Sequence, residues 1–165
     1  MKYAIMKILD RIVPAAKASA HCDIPCGIYD PHIAQMAAHT VIRMVTLINE
    51  NKDDAHKVAR FTAVKEQHAE ICKHEIRVLW GDYFKPEHIQ KYPNLHDLVW
   101  KTLKLASKAR QEADVKAADE LLESVNKVAE IFWEAKGMGT ARFKAPYPTE
   151  RETVYPVSKK GIVTV

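Results

Sequence analysis

Residues 30–50 read DPHIAQMAAHTVIRMVTLINE. Asp30 can accept hydrogen bonds from the free N–H groups of a first helical turn, and Pro31 suits the first position of a helix. After them, side chains of one stripe recur every three or four residues, as one face of an α-helix requires. They are Ile33, Met36, Ala37, Thr40, Val41, Met44, Leu47 and Ile48. The stretch therefore predicts an amphipathic helix that ends before the polar turn at 49–54.

Three more stripes with the same period follow, within residues 58–79, 95–106 and 121–132. Between residues 32 and 135, only Gly81, Pro86 and Pro93 would interrupt a helix. Four amphipathic helices joined by short connections are what an antiparallel four-helix bundle needs. The sequence therefore predicts an all-α fold over the central part of the chain.

The last thirty residues differ from this body. Residues 136–165 contain three of the five glycines and three of the eight prolines, and they show no helical period. They predict an irregular C-terminal tail, either an extended arm or a disordered segment. Its short β-prone pieces at 153–157 and 162–165 could dock on the body or on a neighbouring subunit, and the sequence leaves this open.

Composition and charge exclude several classes of protein. The chain has 165 residues, of which 47% are hydrophobic and 28% charged, a balance typical of one globular domain with tails. The net charge of +4 lies at the two ends, because residues 21–135 carry 15 basic and 18 acidic side chains. An acidic body argues against nucleic-acid binding, which needs clustered Lys and Arg. No run of 18 apolar residues occurs, so we expect no membrane-spanning helix.

Residues 1–20 end in Ala18-Ser19-Ala20, a pattern of small residues that signal peptidases cut. Lys7, Asp10 and Arg11 divide the apolar residues into pieces too short for a secretory signal. We therefore expect a cytoplasmic protein. The apolar residues of this segment fall at helical spacing, which leaves two interpretations open: a helix that packs on the body, or a pro-segment that a dedicated protease removes.

The chemistry is concentrated in HCDIPCGIYDP, residues 21–31, which contains His21, Cys22 and Cys26. The chain has three cysteines, an odd number that argues against a disulfide framework. The spacing of the two loop thiols alone fits an incidental pair, a weak disulfide or half of a zinc site. In the zinc interpretation, the fourth donor would come from His32 or His39.

A cut between Ala20 and His21 would add donors to the loop. His21 would then offer a free α-amine and its imidazole, and the amide nitrogen of Cys22 would lie between that amine and the Cys22 thiolate. The amine, the amide nitrogen and the thiolates of Cys22 and Cys26 can lie in one plane, with the imidazole on the axis. Tetragonal sets of such strong donors suit Ni(II) or Cu(II) better than zinc.

The motif HCDIPCGIYDP resembles the nickel hook of the nickel-containing superoxide dismutases, which carry a similar removable pro-segment. The similarity continues through the body over residues 21–135. It includes Lys65-Glu66-Gln67, Val78-Leu79-Trp80, Asp82-Tyr83-Phe84-Lys85-Pro86, Lys91-Tyr92-Pro93, Leu95-His96 and Ile131-Phe132-Trp133-Glu134. The resemblance implies a homohexamer of four-helix subunits and a processing protease. It also implies one nickel ion per subunit, and conversion of superoxide to dioxygen and hydrogen peroxide by Ni(II)/Ni(III) cycling.

The resemblance also assigns the site residues. It makes His21, Cys22 and Cys26 the nickel ligands, and it places Tyr29 and Asp23 where they line the anion access and orient the loop. Anionic thiolates and a deprotonated amide favour Ni(III), which oxygen donors would not do. A phenol can donate and accept a proton, so Tyr29 is the best candidate to position peroxide or water.

Two positions depart from the family pattern. Type members of the family hold the axial imidazole with a glutamate in the first helix and an arginine after Lys-Glu-Gln. This chain has Ala37 and His68 at the aligned positions, so His68 either replaces that contact or lies at the edge of the core. We expect Cys72 to be a small core residue, and lysines such as Lys85 to supply the local attraction for an anionic substrate.

Two other functions use the same residues. One is a non-catalytic nickel or zinc protein that binds metal through the same loop without consuming superoxide. The other is a thiol redox protein that cycles Cys22 and Cys26 independently of any metal. Metal content and the effect of replacing His21 separate these possibilities, because a thiol switch should tolerate loss of the imidazole.

Overall fold

The computed structural model describes residues 26–158. Its helices are α1 (His32–Glu50), α2 (Ala55–Val78), a short α3 (Pro86–Lys91), α4 (Leu95–Gln111) and α5 (Val115–Ala135), with a π-helical turn over Leu79–Tyr83. Two strands follow, β1 (Gly139–Lys144) and β2 (Glu152–Val157). The predicted pro-segment, residues 1–20, lies outside the described residues.

The four long helices form a bundle. Helix α1 packs on α2 and α5, and α4 packs on the same two helices from the other side. Their inner faces bury mainly Ala, Val, Leu and Ile, with Phe132 of α5 fully enclosed. The prediction of an all-α four-helix bundle is confirmed. None of the helices within 26–158 is long and apolar enough to cross a membrane.

Polar side chains set the starts of two of these helices. Asp54 accepts a hydrogen bond from the backbone N–H of Lys57 at the start of α2, at 3.0 Å. Asp114 accepts one from the N–H of Lys116 at the start of α5, also at 3.0 Å. An aspartate at such a position satisfies one of the free N–H groups of the first turn. The turns at 51–54 and 112–114 are short, so α1 and α2 run antiparallel, and so do α4 and α5.

The C-terminal segment differs from the prediction of an irregular tail. Strands β1 and β2 pair antiparallel, with Gly139 opposite Val157 and Lys144 opposite Glu152. The hairpin packs on α1 and α5, and it buries Thr153 and Val154 in that contact. The prediction of an irregular tail was wrong over this hairpin, whereas docking of the β-prone piece 153–157 on the body, one of the two possibilities left open, is what the structure shows. The contact is partly polar, since buried Thr153 binds His39, so no apolar period marked it.

Candidate metal centre

The described part of the metal-binding loop begins at Cys26, the only predicted nickel ligand that the structure describes. Cys26 is exposed and its thiol is free, and it precedes the first residue of α1 by six positions. Gly27 has a φ of +74°, a left-handed conformation that glycine adopts without strain. Cys26 is thus at the surface, on a turn that leads into the bundle. His21, Cys22 and Asp23 lie outside the described residues, so their roles stay predictions.

Tyr29 joins this loop to an aromatic cluster at the same end of the bundle. Its ring lies 5.7 Å from that of Tyr83, which in turn lies 4.4 Å from Phe132 and stacks on His88 at 5.5 Å. Burial raises the pKa of Tyr83, and nearby Tyr92 adds to this effect. Tyr83 is therefore held as a neutral phenol beside the predicted catalytic Tyr29.

Sequence reasoning did not single out Tyr83 as a site residue. Tyr83 appeared only within the family-like segment Asp82-Tyr83-Phe84-Lys85-Pro86, and that resemblance was the signal that pointed to it. The π-helical turn over Leu79–Tyr83 ends with this tyrosine, and the backbone N–H of Phe84 donates to the Leu79 carbonyl at 3.0 Å. The turn places the Tyr83 ring against α5 and towards Tyr29.

Two lysines lie beside the aromatic cluster. The Lys136 ammonium lies 5.6 Å from the centre of the Tyr83 ring and 5.0 Å from that of Phe132. Lys85 is exposed next to Phe84, in the connector that carries Tyr83. Such local charges can attract a small anion even when the body as a whole is slightly acidic.

The two positions that depart from the family pattern lie in different surroundings. Ala37 is 2% exposed and belongs to the hydrophobic core, so α1 offers only a methyl group there. His68 is half-buried on α2. Because His21 lies outside the described residues, both interpretations of His68 stay open: replacement of the missing contact, or a histidine at the edge of the core.

His39, one of the two donors considered for a zinc site, is engaged elsewhere. Its Nδ1 and Nε2 atoms lie 2.7 Å from the hydroxyls of Thr149 and Thr153, so one nitrogen donates and the other accepts. With both nitrogens used, His39 cannot bind a metal without giving up the hairpin. Within residues 26–158, no group of three or more His, Cys, Asp and Glu side chains is placed to hold a metal ion.

Cys72 has the environment expected of a core residue. It is fully buried on α2, and burial raises the pKa of its thiol to about 12, with a smaller contribution from Glu75. A thiol of that kind does not form the thiolate that metal binding requires. Cys26 is therefore an exposed candidate ligand, whereas Cys72 is an inert packing residue.

These features define a class: a helical bundle that presents an exposed cysteine at the start of its first helix, with a tyrosine cluster and lysines at the same end. Comparison with known proteins gives the particular family. The sequence model of the nickel-containing superoxide dismutases matches residues 16–136. The chain belongs to the nickel-containing superoxide dismutase family.

Two curated relatives carry the name superoxide dismutase [Ni]. The protein of Streptomyces coelicolor is 46% identical over 123 residues, which is 74% of this chain and 93% of the relative. That of Streptomyces seoulensis is 44% identical over the same share of each chain. A native nickel superoxide dismutase structure is similar with a TM-score of 0.67 and 46% identity, over 70% of this chain and 99% of that one. The matched family segment ends at residue 136, before the β-hairpin.

Proposed function

We propose that this chain, once cut after Ala20, works as a nickel-dependent superoxide dismutase with His21, Cys22 and Cys26 as its metal ligands. The observation that carries the proposal is the exposed thiol of Cys26 at the entrance to the bundle of a chain that belongs to this family. Family membership also favours catalysis over the alternative of a nickel or zinc protein without activity.

The donor chemistry fits nickel. Cys26 is a free cysteine exposed at the surface, and the sequence places a second thiol, an amide and an imidazole within five residues of it. Soft anionic donors of this kind select metals such as nickel over those that prefer oxygen ligands. Bound nickel would supply a one-electron couple that both oxidises and reduces superoxide.

The chain's own residues would handle the anion and the protons. Two superoxide anions and two protons give one dioxygen and one hydrogen peroxide, so the reaction consumes protons at the site. The phenol of Tyr29 can donate a hydrogen bond to an incoming anion. The ring of Tyr83, 5.7 Å away, packs against the Tyr29 ring and holds that ring in place. Lys85 and Lys136 provide the local positive potential.

Three further features belong to this proposal. Several apolar side chains at the loop end are exposed, among them Ile28 at 81%, Ile33 at 52% and Met36 at 49%, and a homohexamer would cover such a surface. The short apolar pieces of residues 1–20 and the need for reduced thiols support a cytoplasmic location. A processing protease is required because only a free amine at His21 completes the donor set.

The test is the N-terminal mass and the metal content of the protein purified from its native cell. We expect a chain that begins at His21, carries about one nickel ion and consumes superoxide. The uncut chain is the control and should bind nickel weakly. Equal superoxide consumption by the cut and uncut chains would contradict the proposed ligand set.

A further inference from the structure

The β-hairpin lies beyond the segment that the family shares, and its arginines fix it to α5. Arg142 donates to Glu130 and Glu123, in both cases at 2.7 Å. Arg151 donates to Asp119 at 3.0 Å. These ion pairs hold one side of the hairpin against the last helix of the bundle.

A second set of contacts reaches α1, the helix that directly follows the metal-binding loop. Thr149 and Thr153 bind the two ring nitrogens of His39. The side-chain amide of Gln35 donates to the Val154 carbonyl at 3.2 Å. Thr153 is 0% exposed, Gln35 1% and His39 3%, so these hydrogen bonds are closed to water.

The contacts continue to the first residue of α1. The ring of Tyr155 lies 6.1 Å from that of His32. Positions 39, 35 and 32 are four and three residues apart, so they share one face of the helix. As β2 advances from Thr153 to Tyr155, its contacts move back along α1 towards the start of that helix. Strand β2 therefore runs antiparallel to α1 and reaches His32, six residues after Cys26.

The helices are built to receive this hairpin. Asn126 of α5 is 2% exposed, and it accepts from Gln35 at 2.9 Å and donates to the Glu152 carbonyl at 3.0 Å. Buried polar groups of this kind destabilise a protein unless they are paired. Gln35, His39 and Asn126 all obtain partners from the hairpin, so its docking is specific to this surface.

The start of α1 needs such support. The first N–H groups of a helix lack intrahelical partners, and helix ends open more easily than helix centres. Here the Asp30 carboxylate accepts from the His32 N–H at 2.7 Å. The hairpin contacts extend this support over the first two turns.

We propose that the hairpin positions the nickel-binding loop by fixing the first two turns of α1, from which the chain leads back to Cys26. Thr153 and Tyr155 are then positioning residues: they act on the Cys26 thiolate through the helix rather than by contact. This inference rests on the proposed function, because nickel is the ligand whose binding the loop serves.

A matched pair of substitutions tests the proposal in the full processed chain. Thr153→Val removes a 2.7 Å hydrogen bond to His39 without changing the side-chain volume. Thr102→Val removes two hydrogen bonds of 2.7 Å, one to the Leu98 carbonyl within α4 and one to Ser124 of α5. Both substitutions should lower stability towards urea, and Thr102→Val at least as much as Thr153→Val. Only Thr153→Val should increase amide hydrogen exchange at residues 33–38, by about tenfold.

Nickel binding supplies the second readout. With Ni²⁺ alone as the probe, Thr153→Val should weaken affinity several-fold and broaden the electron paramagnetic resonance signal of the oxidised centre, whereas Thr102→Val should change neither. Tyr155→Leu is a second variant for the case that Thr153→Val does not fold, because Tyr155 is only half-buried. It should give the same change in nickel binding with little loss of stability.

The outcomes separate this proposal from the proposed function. If the unmodified processed chain binds no Ni²⁺, the proposed function fails, and the positioning role fails with it. If that chain binds Ni²⁺ but Thr153→Val and Tyr155→Leu bind it with unchanged affinity and signal, the positioning role alone is overturned. Faster exchange in α1 without a change in nickel binding would make the hairpin a stability element only.

Discussion

His39 should make the stability of this protein depend on pH in mildly acidic solution. The pKa of its imidazole is lowered to about 4 from an ordinary value of 6.5, first by burial and then by the nearby positive charges of His32 and Arg151. The unfolded chain therefore binds a proton at a pH where the folded chain does not. Stability is retained above pH 6.5 and is lost as the pH falls from 6.5 towards 4.

The two pKa values give the size of the loss. Each pKa unit corresponds to about 1.36 kcal/mol. The shift of the His39 pKa therefore removes about 3 kcal/mol from the free energy of unfolding once the pH lies below both pKa values. Between pH 7 and pH 5 the linkage relation gives a loss of about 2 kcal/mol. Carboxylates in ion pairs contribute at lower pH. The pKa of Glu123, for example, is lowered by its hydrogen bonds to Arg142, so its contribution is lost below the ordinary range of a glutamate.

Urea unfolding at pH 7 and pH 5 measures this loss. We expect the free energy of unfolding of the unmodified chain to fall by about 2 kcal/mol between the two pH values. His39→Gln keeps a hydrogen-bonding side chain without the titration, so its stability should change much less. His74→Gln, at an exposed position, is the control and should behave like the unmodified chain. Equal pH dependence of the His39→Gln and unmodified chains would show that this imidazole is not the titrating group.

Other predictions concern single side chains. Cys26→Ser should abolish nickel binding in the processed chain, whereas Cys72→Ser should keep it and lower stability, as metal analysis and urea unfolding would show; nickel retained by Cys26→Ser would contradict the ligand assignment. Lys65→Met should cost about 2 kcal/mol by urea unfolding, because the buried Lys65 ammonium donates to three carbonyls at the end of α4, at 2.5, 2.9 and 3.2 Å. Lys73→Met, which removes one half-buried hydrogen bond of 2.8 Å, is its control and should cost less than half as much. Arg142→Met should lower stability by about 1 kcal/mol, and the loss should shrink in high salt, since the ion pairs of Arg142 are partly exposed; a loss independent of salt would point to packing instead.

The helices could be predicted because their apolar residues repeat at the helical period. In α1 the stripe members Ala37, Val41 and Ile48 are buried as expected, whereas Ile33 and Met36 of the same stripe are 52% and 49% exposed. The loop HCDIPCGIYDP could be singled out because its residue types are rare in that spacing. Its resemblance to the nickel hook of the nickel-containing superoxide dismutases then supplied the ligand assignment, which periodicity could not give.

The β-prone piece at 153–157 could be recognised, but the pairing of the hairpin and its polar contacts with the helices could not be predicted, for a physical reason. Gln35 and His39 belong to a helix whose apolar stripe is complete without them, so they indicate a solvated face. Their burial depends on Thr149 and Thr153, more than a hundred residues later in the chain. The π-helical turn that orients Tyr83 could not be predicted either, because none of its residue types is specific for a turn with one additional residue. Long-range polar pairing and small backbone irregularities are what a single sequence conceals.

The antiparallel course of β2 along α1 has a practical consequence for anyone who labels this protein. Tyr155 lies beside His32, and Ser158 is three residues further on, so a label attached at the end of strand β2 would lie at the same end of the bundle as Cys26. The opposite pole, where Asn49 reaches the Ala113 carbonyl at 3.5 Å, carries the turns at 51–54 and 112–114. Fluorophores, affinity handles and surface attachments are best placed at those turns, because there they do not obstruct the access of metal ions and superoxide to the proposed site.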